Sequence, residues 1–279
     1  MQSGLVAATA ITAPPDEVER TYVAEQRRER RRRILLPVLG GVALLVVWWA
    51  LVALFQVKPF IAPAPQVVAR TVYDKVGLLM MNLAPTAIEA VGGFLLGNFA
   101  AIVTAAVFVH NRSIDQAFFP VAVLINSIPV VAKAPILVLL LGNGLAPKIA
   151  IAAIICYFPT LVNMVRGLQA VSPQAMELMH VLSASRREIF FKLRVPTSLP
   201  FLFSALKIAT STATVGAIVG EWIGSQVGIG ALIIQATYNF DSALLYATVL
   251  CGSAFSVIFF FVIRTIELWI VRWETGVAP

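Results

Sequence analysis

The sequence predicts an all-α polytopic membrane protein with six transmembrane helices. Of its 279 residues, 59% are hydrophobic and 13% charged, with mean hydropathy +0.88, against roughly 45–50% apolar and 25% charged in soluble domains. The apolar residues fall in separated runs of about twenty, the number that crosses a hydrocarbon core of roughly 30 Å at 1.5 Å per residue. No large soluble domain fits between the runs. Cys156 and Cys251 both lie inside apolar runs, where a cysteine reads as a small buried hydrophobe and not as half of a disulfide or a metal ligand.

The elements follow in order. Residues 1–33 are a polar arm ending in Arg30-Arg31-Arg32-Arg33. Such a run can bind nucleic acid in a soluble protein, but beside an apolar span it reads as a topology anchor on lipid, and no nucleic-acid partner is expected. Residues 34–55 form the first span. It exceeds the about 7–15 apolar residues of a signal peptide and lacks a small-residue cleavage site, so it is expected to be retained. Spans two to six are predicted at Leu83–Val109, Ala117–Leu141, Ala146–Val165, Phe201–Gly220 and Ala243–Ile263, and residues 266–279 are a cytoplasmic tail. Prolines and glycines punctuate these spans without forbidding them.

Lys and Arg counts orient the chain. One side receives the seven arginines of the arm, Arg112, five basic residues of the 166–196 loop, Arg264 and Arg272; the other receives only Lys58, Arg70, Lys75 and Lys148. The first side is therefore expected to be cytoplasmic, with both termini on it.

The 166–196 loop is then the longest on the cytoplasmic side, and it is patterned. Ser172 followed by Pro173 reads as an N-cap with proline at the first helical position, and Ala175, Leu178, Met179 and Leu182 recur at i, i+3, i+4, i+7. Ser185-Arg186-Arg187-Glu188 reads as a capping box that starts a second short helix, which Pro196 is expected to end. Two helices bent at Ser183-Ala184-Ser185, with one apolar stripe and basic flanks, suit a partner surface; lying on lipid headgroups is the other reading. The chain has no Gly-x-x-x-x-Gly-Lys-Ser/Thr, so no P-loop binds ATP here. Nor is there an outer loop large enough to capture a solute alone.

This loop resembles the EAA loop of the permeases of binding-protein-dependent ABC importers, with the MetI-like, type I importer architecture. Glu177-Leu178-Met179 stands for Glu-Ala-Ala, Ser183-Ala184-Ser185 for the usual Gly-Ala-Ser, and Leu193-Arg194-Val195-Pro196 for the closing hydrophobic-x-Pro. Ser183 departs from the family's glycine, so the bend must be made without a residue that takes positive φ cheaply. Phe60 to Pro65, Ser127 to Pro135, Gly142-Asn143-Gly144 and Gly220-Glu221-Trp222 extend the resemblance over a 60–265 core with five transmembrane helices. They point to the branch for nitrate, sulfonates, taurine, bicarbonate and thiamine-precursor pyrimidines. Leu141 replaces the branch's usual aromatic, and Lys133 its usual aliphatic residue.

The resemblance implies a permease subunit with no chemistry of its own, in a bacterial inner membrane. A second copy, two ATPase subunits that bind ATP and Mg, and a periplasmic or lipid-anchored substrate-binding protein would complete the importer. Glu177, Leu178, Met179, Leu182, Ser183, Ala184, Ser185, Arg186, Arg187 and Pro196 would then couple to the ATPase. A secondary transporter or channel acting without an ATPase is the alternative, and a membrane scaffold a third.

Polar residues inside spans are the candidates for the translocation path, because a mid-membrane charge costs about 2.5–3.5 kcal/mol on insertion scales. They are Glu89, Asn126, Ser127, Pro129, Lys133, Ser211 and Thr214. Lys133 can hold an anionic solute or pair with Glu89, and the two readings do not exclude each other. Lys207 is expected to snorkel to headgroups, and the hydroxyls of Thr210 to Thr214 to bond back to helical carbonyls. Gly93 and Gly97 predict close helix packing, and His110 and His180 are read as structural. Glu221 is assigned to a periplasmic gate, with solvation at headgroup level as the equal alternative.

Overall fold

The computed structural model describes the backbone of residues 15–271 and the side chains of Arg32 and residues 35–271. The first fourteen residues of the arm and 272–279 of the tail lie outside the described residues. The chain divides into two units, 1–66 and 67–279.

The first unit is built on α1 (Pro15–Leu54), which carries the apolar span Leu35–Leu54 with mean hydropathy 2.4. The helix runs back from the span through the basic run to Pro15. Glu and Arg are strong helix formers, and no Gly or Pro interrupts residues 16–36. A short α2 (Pro65–Asp74) crosses the boundary between the units.

The second unit comprises α3 (Val76–His110), α4 (Arg112–Ser127), α5 (Val130–Leu141), α6 (Leu145–Gln169), α7 (Pro173–Val181) and a single turn α8 (Arg186–Glu188). A π-helix π1 (Ile189–Arg194), α9 (Val195–Glu221), α10 (Ile229–Tyr238) and α11 (Ser242–Ile270) complete it. With α1, the helices α3, α6, α9 and α11 are each long and apolar enough to cross a membrane, five in all, and a sixth is counted where the bent pair α4–α5 is taken as one span.

The core forms where α6 passes between α3 and α9 on small residues. A Cβ on Gly93 would strike the Ala152 Cβ, and one on Gly97 the Ala153 carbonyl; from the other side, one on Gly216 would come 2.7 Å from the Ala152 Cα. Backbones this close gain dispersion contacts that larger side chains would prevent. Around this seam lie two apolar clusters. Phe94, Cys156, Phe203 and Ala213 belong to one, and Ala105, Phe108, Leu161 and Leu168 to the other. Cys156 and Cys251 are free and buried.

Three expectations are corrected. The third span is broken: α4 and α5 meet at 98°, because Pro129 offers no amide and forces Ile128 into an extended conformation (φ −70°, ψ 126°). Pro196 does not end a helix but sits in the first turn of α9, directly after π1. The wider π turn before it gives the ring room that a regular turn would deny. The second span starts at Val76, not Leu83, and carries Pro85 within it. Between α9 and α11 the chain also forms α10.

Candidate functional site

At one end of the second unit the loop after α6 builds a protruding element. The Ser172 hydroxyl accepts from Ala175 N–H (3.3 Å), with Pro173 at the first turn, so α7 starts as its sequence requires. It stops by a Schellman turn: Ala184 N–H donates to Met179 O (2.9 Å) and Ser183 N–H to His180 O (2.9 Å). Ser183 takes φ +53° there, the left-handed region that the family's glycine would occupy freely. The bend is therefore made, with serine bearing the backbone strain.

The capping box is also present. Glu188 N–H donates to Ser185 Oγ (3.3 Å), while Ser185 N–H donates to Glu188 Oε2 (3.0 Å). Lys192 Nζ, 2.9 Å from Glu188 Oε1, and the Ser185 backbone and hydroxyl together hold the exposed Glu188 carboxyl down at about 2.

The result is a rigid, exposed knob. Among the described elements α7 packs only against π1, and Leu178, Val181 and Leu182 are 59%, 82% and 66% exposed. Glu177, Arg186 and Arg187 are exposed beside them, whereas Ala175, Met179 and Ala184 are half-buried. Val181, missed by the predicted stripe, is the most exposed of the three. From Ser185 onward the chain runs without a break through π1 into α9. Phe190 of π1 stacks on His110 at the end of α3 (4.7 Å between centroids), so the knob is keyed to two spans.

The candidate path residues do not converge in one place. Asn126, Ser127 and Pro129 are exposed at the α4–α5 bend, and Ser127 Oγ bonds back to Val123 O (2.9 Å). Asn126 borders an apolar cavity of about 760 Å³ between α3, α4 and α6, lined by residues such as Val103, Phe118 and Tyr157. Lys133 is half-buried and makes no hydrogen bond or ion pair among the described residues. Ser211 is exposed, while Thr214 is buried and bonds to Thr210 O (2.9 Å), as a hydroxyl returned to its own helix.

Glu89 overturns its expected pairing. Its partner is Lys148, not Lys133: Lys148 Nζ lies 2.9 Å from Glu89 Oε1 and 2.8 Å from Ser225 Oγ, with Glu89 fully buried. Counting had placed Lys148 in an outer connection. It lies within the first turn of α6, which starts at Leu145 right after the Asn143-Gly144 turn, and that helix start carries it into the core. Lys207 does not snorkel; it pairs with Glu267 of α11 at 2.8 Å.

Glu221, at the end of α9, is 1% exposed, which removes headgroup-level solvation. Its Oε1 accepts from Thr86 Oγ1 (2.6 Å) and its Oε2 from Gly230 N–H (2.6 Å). Thr86 Oγ1 in turn accepts from Ile229 N–H (2.8 Å), and Asn82 Oδ1 from Gly228 N–H (2.9 Å). A Cβ on Gly228 would strike the Glu221 carboxyl, so only glycine fits that approach. Asn82, Thr86 and Lys148 carry this end of the core and were not singled out in the sequence.

The family described as "Binding-protein-dependent transport system inner membrane component" matches residues 93–274, well over half of the chain. The riboflavin transport system permease protein RibX of Chloroflexus aurantiacus is 34% identical over 82% of this chain and 86% of its own length. The formylaminopyrimidine transport permease protein ThiX of Halalkalibacterium halodurans is 30% identical over 81% and 91%. More distant relatives are named for aliphatic sulfonates, bicarbonate and nitrate. In fold, a chain of the MetNI methionine ABC transporter, solved in inward-facing conformations, superposes with a TM-score of 0.57 at 18% identity, covering 70% of this chain and 95% of that one. The chain thus belongs to the binding-protein-dependent transport system inner membrane component family: it is a multi-pass, MetI-like permease subunit of an ABC importer.

Proposed function

We propose that the chain forms the translocation path as a homodimer in a bacterial inner membrane, with both termini and α7 in the cytoplasm. Two separate ATPase subunits bind and hydrolyse ATP with Mg and grip α7, and a periplasmic or lipid-anchored binding protein delivers the solute to the Glu221 end. The observation that carries this reading is the stripe Leu178, Val181, Leu182, exposed on a knob that continues through π1 into α9. An apolar surface held clear of the core by three caps gains from burial in a partner groove, at roughly 25 cal/mol per Å². Movement of the knob then reaches the Glu221 end along one continuous helix.

Glu177→Arg and Leu182→Asp test it in the co-expressed importer. Loss of ATPase co-purification, or hydrolysis without uptake, is expected while the chain stays in the membrane; normal uptake by both variants would sink the lever.

For the solute, a nitrogen heterocycle of the pyrimidine or flavin kind is the reading favoured by the relatives that are 30–34% identical. A small anion is the second reading, favoured by Lys133, a cation of α5 that has no ion-pair partner among the described residues. Uptake by Lys133→Leu separates the two, since an anion path loses its cation and a heterocycle path keeps its rate.

A further inference from the structure

The Glu221 end holds an electrostatic imbalance that a purely structural network would not tolerate. Glu89 and Glu221 are 0% and 1% exposed, and they meet at Thr86: it lies one turn before Glu89 on α3, and its hydroxyl donates to Glu221 Oε1 (2.6 Å). One lysine, Lys148, faces them. Of the four carboxyl oxygens, three are satisfied: Glu89 Oε1 by Lys148, Glu221 Oε1 by Thr86 and Glu221 Oε2 by Gly230 N–H. Glu89 Oε2 is the one buried side-chain polar atom among the described residues with no donor. Two adjacent carboxylates with no hydrogen between them repel strongly where water is excluded, and an orphaned buried acceptor costs about 1–3 kcal/mol.

We propose that Glu89 and Glu221 hold one proton between them, shared between Glu89 Oε2 and the Glu221 carboxyl. That single hydrogen satisfies the orphan oxygen, turns the facing acceptors into a donor and an acceptor, and brings the two acids and one lysine to zero net charge. A metal cation does not fit instead. It would take about six oxygens, and three of the four carboxyl oxygens already accept hydrogens from nitrogen or hydroxyl donors.

Among the described residues no other charged group forms an ion pair at this site. Of the packed elements, α3 brings Glu89, α6 Lys148 and α9 Glu221; α10 carries no charged residue. Lys75 and Asp241, beside α3 and α11, pair with each other at 3.0 Å, and Lys133 of α5 makes no ion pair with the cluster. The proton adds a direct link between α3 and α9 at an end where Glu221 already joins α9 to Thr86 of α3 and to Gly230 at the start of α10. Opening it would admit water, hydrate both carboxylates and let the proton go. That last consequence rests on the proposed function above; the proton itself does not.

The test uses the full chain purified in lipid nanodiscs, without partners, so it stands or falls apart from transport. At neutral pH the infrared spectrum should show the carbonyl stretch of one buried carboxylic acid, lost in both Glu89→Gln and Glu221→Gln. As pH rises and the proton leaves, wild-type melting temperature should fall with a slope worth one proton, and Glu221→Gln should lose that slope while Tyr, Cys and Lys contributions remain. The wild-type infrared band, vanishing at alkaline pH, decides the matter if either variant fails to fold. No acid band in the wild type, or sodium restoring the melting temperature at alkaline pH, would overturn the assignment.

Discussion

Glu89 of α3 and Lys148 of α6 stand 59 residues apart in sequence and 2.9 Å apart in space, as an ion pair inside the packed core. Glu89 is fully buried and the Lys148 side chain 11% exposed. Ser225 takes a second hydrogen of the ammonium at 2.8 Å, so the pair also fixes the connection that leads into α10.

Removing the cation alone is predicted to cost far more than removing it together with the charge it faces. Lys148→Met leaves the one negative charge of the buried Glu89 and Glu221 carboxyls without its cation, a change of about 3–5 kcal/mol. Adding Glu89→Gln and Glu221→Gln removes the charge as well and should restore most of the lost stability. Thermal unfolding of the single and triple variants in one lipid measures the difference, and equal melting temperatures would show that the cation adds nothing.

The seam between α3 and α6 predicts a second effect. Gly97→Ala puts a methyl against the Ala153 backbone, which cannot rotate away as a side chain can. Overpacking of this kind costs about 1–3 kcal/mol. Gly40→Ala, where nothing lies within 4 Å, is the control and should leave the melting temperature unchanged.

Much of this was legible in the sequence, and the reasons differ from residue to residue. The caps at Ser172 and Ser185 were readable because capping is local, decided within four residues. The apolar spans were readable because apolar length is additive along the chain. The pairings were not. Apolar runs left Glu89 to pair with Lys133 and counted Lys148 with the outer residues although its span was predicted from Ala146, whereas Pro129 bends the third span by 98° and Lys148, in the first turn of a helix that begins at Leu145, faces inward. Which face of a helix start a lysine takes is decided by the helices packed on it, not by its place in the run. Nor could the sequence show that Glu221 turns inward, since its partners Thr86 and Gly230 come from a distant helix and from a turn built on Gly228.

Ser183 supplies a prediction about the coupling knob. A non-glycine residue in the left-handed region costs roughly 1–2 kcal/mol, partly offset in Ser183→Gly by glycine's greater freedom in the unfolded chain. The net expectation is a firmer end to α7 and slower hydrogen exchange at the Ser183 and Ala184 amides, which donate to His180 and Met179. Faster exchange in the variant would mean that the serine side chain, not the backbone, holds the bend.

Asp241 gives the acid limb of the stability curve. It caps α11 by accepting from Leu244 N–H (3.0 Å) and pairs with Lys75 (3.0 Å). Burial pushes its carboxyl up, but the Leu244 amide and Lys75 outweigh that and hold it below its ordinary 3.8. A carboxyl depressed by folding adds stability above its unfolded value and loses it as pH falls through the folded one. The contribution should therefore be intact near neutrality and fade only below about pH 4. Both side chains are more than a third exposed, so the pair is worth less than about 1 kcal/mol. Asp241→Asn keeps an oxygen for the cap but cannot titrate. Its melting temperature should lie slightly below the wild type at neutral pH and converge with it in acid, and a gap that persists unchanged in acid would assign the effect to packing.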